Sequence, residues 1–133
     1  MATRIRGSFD VKLLRQPLDE GAPEVGRMLL DKQFHGELEA TSKGQMLAIS
    51  SEVKGSAGYV AMEHVVGSLG GKRGSFALQH SGTMDRGAPT LSVTVVPDSG
   101  TGELVGLTGR MTIEITDGKH FYDFEYELKG AQP

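Results

Sequence analysis

Two residues whose types could do chemistry stand on consecutive β-prone runs, Glu63 in YVAMEHVVGSL and His80 in GSFALQHSGTM. Burial raises a carboxylic acid's pKa and lowers an imidazole's, while pairing the two as ions opposes both shifts, so such a pair can exchange a proton with a bound molecule near neutral pH. The same two groups can equally form a buried hydrogen bond that fixes strand register. With His120 they supply the donor types of a two-histidine, one-carboxylate metal set. Their spacing matches no known ligand motif, however, and no metal or other cofactor is assigned. The chain has no Cys and no GxSxG elbow, which removes thiol and serine-triad nucleophiles. The glycines of SGTGELVGLTG lack the lysine of a phosphate loop and read as a turn.

Whether Glu63 and His80 meet depends on the strands that carry them. The run TLSVTVVP alternates cleanly, with Leu91, Val93, Val95 and Pro97 on an apolar face and Thr90, Ser92 and Thr94 on a polar one. Folding back through Asp85-Arg86-Gly87-Ala88 sets Met84 against Pro89, Gly82 against Leu91, His80 against Val93 and Leu78 against Val95. Folding back again through Gly70-Gly71 sets Leu69 against Lys72, Phe76 against Val65, Leu78 against Glu63 and His80 against Ala61. Glu63 and His80 then become diagonal neighbours on the inward face, within reach of a hydrogen bond. A bulge at Gly82 or Gly74 would reverse that assignment.

The strands expected from such alternation are Arg4 to Leu14, Gly26 to His35, Gln45 to Val53, Tyr59 to Leu69, Gly74 to Met84, Thr90 to Pro97, Arg110 to Thr116 and Lys119 to Leu128. Asp19 to Met28 and Gly102 to Leu107 could each hold a short helical turn, and the last hairpin turns on Asp117-Gly118. That turn pairs Thr116 with Lys119 and sends His120, Tyr122, Phe124, Tyr126 and Leu128 inward. The two long connections, PLDEGAPEVG and PDSGTGELVGLTG, are expected at a rim or lid, with a pocket entrance near one of them.

At 133 residues with a net charge of -3, no run of like charge and Lys and Arg scattered singly, the chain suits one domain spanning 1-133 and gives no phosphate-backbone footprint. Nucleic acid is therefore not an expected partner. The opening MATRIRGSFDV lacks the apolar core of a signal peptide, and no stretch is long enough to span a membrane as a helix. No membrane partner and a cytoplasmic location are the corresponding expectations. The 19 Gly fall between short β-prone runs, which indicates an all-β fold, and eight strands suit a closed barrel.

The stretch YVAMEHVVGSLGGKRGSFALQHSG, with DKQFHGELEATSKG before it and VVPDSGTGELVGLTG after it, resembles the bacterial family known as domain of unknown function 3224. The resemblance covers nearly the whole chain and implies an all-β fold of the allene oxide cyclase-like class, an eight-stranded antiparallel closed β-barrel with an interior cavity. Allene oxide cyclases and dirigent proteins guide closure or coupling of reactive apolar intermediates, an analogy at the level of fold only. Glu63 and His80 are the family-matching positions carried over. The family pattern more often has Arg where this chain has His64, and counting places that residue outward.

These readings converge on a β-barrel that binds an apolar or aromatic small molecule, with Glu63 and His80 as polar anchors and Tyr59, Phe76, Leu78, Val93, Tyr122, Phe124 and Tyr126 as lining. A cyclase or isomerase using Glu63 and His80 for proton transfer is the second reading, and a structural or oligomerisation module with a filled core the third. Leu47, Ile49, Val60, Met62 and Val66 fall on outward positions, so a homo-oligomer is expected.

Overall fold

Alternation carries each strand, and tight turns pass it to the next. In the computed structural model, which describes residues 2–129, the strands run β1 (Thr3–Arg15), β2 (Gly26–His35), β3 (Leu38–Ser50), β4 (Ala57–Leu69), β5 (Lys72–Asp85), β6 (Ala88–Val95), β7 (Leu107–Thr116) and β8 (Lys119–Leu128). All neighbours are antiparallel and follow sequence order, and β1 closes on β8 with Phe9 opposite His120. The turns at Gly70-Gly71, Arg86-Gly87 and Asp117-Gly118 have positive φ at both central residues. That is the type I′ geometry whose twist matches a right-handed ribbon.

The register of β4, β5 and β6 is continuous, with Glu63 opposite Leu78 and His80 opposite both Ala61 and Val93. Neither Gly82 nor Gly74 marks a bulge. Each instead makes room: a Cβ at Gly82 would lie 2.3 Å from the Tyr59 ring, and one at Gly74 would lie 2.0 Å from the Thr101 carbonyl. Strand β3 starts at Leu38 rather than Gln45. Its inward positions Ser42 and Gly44 are small and polar or bare, so the alternation that marks a strand is hidden there. Asp19 to Met28 forms no helix; Asp19 caps a turn by accepting from the Gly21 and Ala22 amides, and β2 begins at Gly26. Gly102–Leu104 does form a single 3-10 turn.

The two ends of the barrel differ. At one end the β6–β7 connection folds back along β5, where Val96 N–H donates to Ala77 O and Thr101 N–H to Ser75 O. Ser99 Oγ and Thr101 Oγ1 accept from the Ala77 and Ser75 amides. This latch drives Leu104 into the barrel beside Leu38, Leu69 and Leu107, all buried. Behind it Phe76 stacks on Phe124, and Phe34 meets Tyr122 edge-on. The Tyr122 hydroxyl donates to His35 O at 2.9 Å and accepts from Leu38 N–H at 3.3 Å, tying β8 across the β2–β3 turn.

At the opposite end, which holds the β1–β2 connection and the turns of β5–β6 and β7–β8, inward positions are left uncovered. Leu13 is 50% exposed and Ile115 65%. Strands β6 and β7 pair only at Val93–Met111 and Thr94–Arg110, so towards this end they part into a slit.

Candidate functional site

The buried polar residues lie together at the floor of the open half. Glu63 pairs with bare Gly44 on one side and Leu78 on the other, so its carboxylate has room to turn along the barrel interior. A Cβ at Gly44 would fall 2.8 Å from Glu63 Cβ and 2.1 Å from Met62 O. Strand β2 contributes Lys32, β3 contributes Ser42 and β5 contributes His80. Lys32 Nζ donates to Glu63 Oε2 at 2.8 Å, Ser42 Oγ donates to Oε1 at 2.7 Å, and His80 Nε2 meets Oε2 at 2.5 Å. Lys32 Nζ also sits 4.9 Å from the Phe9 ring centroid and 5.7 Å from that of Phe34. Those aromatic faces receive part of its charge.

Burial pushes the Glu63 carboxyl up, but the His80 hydrogen bond, the Lys32 charge and the hydrogen bonds from Lys32 and Ser42 outweigh it and hold the group at about 2. Glu63 is therefore a carboxylate at neutral pH and can only accept. The proton of the His80 contact then lies on Nε2, and Nδ1 is turned away from Glu63. Nδ1 has no hydrogen-bond partner among the described residues.

Above this floor a pocket of about 370 Å³ opens at the uncovered end, walled by Met46, Tyr59, Gly82, Met84, Pro89 and Leu91. The Tyr59 ring lies across Gly82 with its centroid 6.5 Å from that of His80, which joins the pocket wall to the buried cluster. Burial and the Glu63 charge raise the Tyr59 phenol's pKa, so the phenol keeps its proton. The slit between β6 and β7 ends at Val93, the residue paired with His80.

Alternation and the hairpin register bring Glu63 and His80 together. They also direct Phe76, Leu78, Val93, Tyr122 and Phe124 inward, but these five pack on one another and on the latch, 0–1% exposed, and so form core rather than pocket surface. Tyr126 is half-buried against Phe124, and only Tyr59 of the aromatic candidates stands on the pocket wall. His120 packs against Phe9 with the two rings tilted at 45°, and no three His, Asp or Glu among the described residues converge as metal ligands. His64 points outward between Lys43 and Ala77.

Lys32 and Ser42 are the functional candidates that hairpin counting missed. Their signal was present in β2, where Met28, Leu30, Lys32 and Phe34 share one face with a single charge among apolar residues. No tight turn of recognisable type links that strand to β4, so nothing in the chain ties Lys32 to Glu63.

The chain matches the sequence profile of DUF3224, described as protein of unknown function, over residues 5–126. A crystal structure at 1.84 Å of a protein with unknown function from the DUF3224 family of Shewanella oneidensis MR-1 superposes with a TM-score of 0.90 at 52% identity, covering 97% of this chain and 99% of that one. No curated protein matches the chain. Profile and superposition together place the closed eight-stranded barrel and its chain in the DUF3224 family.

Proposed function

We propose that this protein binds an apolar or aromatic small molecule in the open half of its barrel, through a hydrogen-bond donor on the ligand that meets His80 Nδ1. The observation that carries this reading is an imidazole held at Nε2 by a buried carboxylate, with no partner at Nδ1 among the described residues, beside an otherwise apolar pocket of about 370 Å³. A pocket of this size and lining suits a bicyclic aromatic or a short branched hydrocarbon. The β6–β7 slit gives such a molecule a lateral way in. Lys32 and Glu63 balance in formal charge, so the site does not require a charged ligand.

The test compares 2-naphthol with 2-methoxynaphthalene, which share an aromatic body but differ in the donor. Titrations followed by NMR should move resonances of Tyr59, Met46 and Leu91 with both. The naphthol should bind about tenfold tighter, as expected for one added hydrogen bond. In His80→Leu that preference should vanish. Equal affinities for the wild type would remove His80 from the reading, and no shift at those three residues with either molecule would remove the pocket.

A cofactor-independent cyclase or isomerase is the second reading, favoured by the His80 ring being held at Nε2 by Glu63. With Nε2 held by Glu63, Nδ1 can take a proton from an acidic carbon of a bound molecule and return it elsewhere. Deuterium uptake from solvent into 2-tetralone, faster with the wild type than with His80→Leu, would support it. Equal uptake would leave binding without turnover.

A further inference from the structure

We infer that the outward face of β4, β5 and β6 is the surface on which two copies of this chain pair face to face. Charge is segregated around the barrel. Outward positions on β1 and β8 carry Arg4, Arg6, Asp10, Lys12, Asp123 and Glu125. On β4 the outward positions from Gly58 to Val66 are Gly58, Val60, Met62, His64 and Val66, and their β5 partners are Thr83, Ser81, Gln79, Ala77 and Ser75. Strand β6 extends the face with Thr90, Ser92 and Thr94. None of these positions holds Asp, Glu, Lys or Arg.

Val60, Met62 and Val66 are each about half exposed, and Leu47 of β3, opposite Val60, continues the apolar stripe. Depletion of charge around an apolar centre is the compositional mark of an interface core. It also selects the occupant. In a face-to-face pair about a twofold axis every patch meets its own copy, so any charge near the axis meets a like charge. A face without fixed charge avoids that repulsion, whereas a differently charged partner would have no complement here. A lipid surface would call for Lys, Arg or interfacial aromatic side chains, which this face lacks.

The size suits a small interface. Strands β4, β5 and β6, about 4.8 Å apart and roughly nine residues long, cover on the order of 400 Å² in projection. Side-chain relief and the Leu47 edge of β3 enlarge it towards the lower end of the interface range, that of weak, concentration-dependent association.

Sedimentation velocity across the micromolar range tests the inference, with the full chain. The wild type should sediment as a dimer. Met62→Glu and Met62→Lys, at the centre of the face, should each raise the dissociation constant at least roughly thirtyfold. An equimolar mixture of the two should dimerise again, because the centre of a twofold face meets itself. Arg6→Glu, on the charged wall, should leave the dimer intact. Circular dichroism separates unfolding from dissociation, and Gln79→Lys serves as a second variant should either Met62 variant unfold. A monomeric wild type overturns the inference, as does a dimer that survives Met62→Lys and Gln79→Lys. A mixture that stays monomeric overturns the face-to-face arrangement.

Discussion

Glu63 is the residue on which the buried cluster turns, and its partners set a definite pH dependence. Its carboxyl titrates at about 2 in the folded chain against an ordinary 4.5. Between those values the unfolded chain binds more protons than the folded one, so the cluster's stabilisation is fully present above pH 4.5 and is lost as pH falls towards 2. Urea denaturation across that window should show stability falling with acid, and the fall should be shallower in the Lys32→Met/Glu63→Gln double variant. An equal slope in both proteins would place the acid sensitivity elsewhere. The same residues give a mutational test. Glu63→Gln alone leaves the buried Lys32 ammonium without a counter-ion and should destabilise by about 3–5 kcal/mol. Adding Lys32→Met should recover part of that loss, since a buried pair removed whole costs less than one broken in half. Strictly additive losses would show that the two charges are uncoupled.

At the scale of the strand, the barrel depends on glycines whose missing side chains let neighbours approach. Gly44 is the sharpest case, because a Cβ there would meet Met62 O at 2.1 Å and Glu63 Cα at 2.7 Å, backbone atoms that cannot turn aside. Gly44→Ala should force β3 from β4 and cost at least about 3 kcal/mol. Gly118→Ala meets nothing within 4 Å and strains only the positive φ of its turn. It should cost about 1 kcal/mol. Thermal or chemical denaturation of the two variants checks the order, and a Gly44→Ala no worse than Gly118→Ala would contradict the close approach. Strands β4 to β6, and separately β7 with β8, were legible because type I′ turns of recognisable sequence pass the register from one to the next. Gly82 and Gly74, where a bulge would have reversed the register, mark none: one accommodates the Tyr59 ring and the other a loop carbonyl. A glycine reports that something needs the space, and the sequence does not name the neighbour.

For the whole molecule, the contrast between a latched end and a slit end sets where motion is expected. The slit leaves β6 and β7 paired at two positions only, while β4 and β5 pair along their whole length. Native-state hydrogen exchange should be fastest, among strand amides, at those of β6 and β7 that face the slit, with β4 and β5 among the most protected. Binding of 2-naphthol should slow exchange at the slit if entry is lateral. Uniform protection around the barrel would argue for a closed wall and entry only at the mouth.

The sequence by itself determined the strand alternation, the hairpin register, the barrel class and the meeting of Glu63 with His80. The alternation, the register and the meeting of Glu63 with His80 follow from local periodicity and from turns only two residues long, where chain geometry leaves one pairing, and the barrel class follows from the family resemblance. Tertiary structure alone decided that Lys32 and Ser42 complete the cluster, because β2 and β3 reach β4 through connections whose sequence sets no readable register. It alone also decided which inward side chains are core and which are pocket. Alternation gives Phe76, Phe124 and Tyr59 the same inward direction, and only the latch of the β6–β7 connection over one end, with none over the other, separates packed aromatics from the exposed wall.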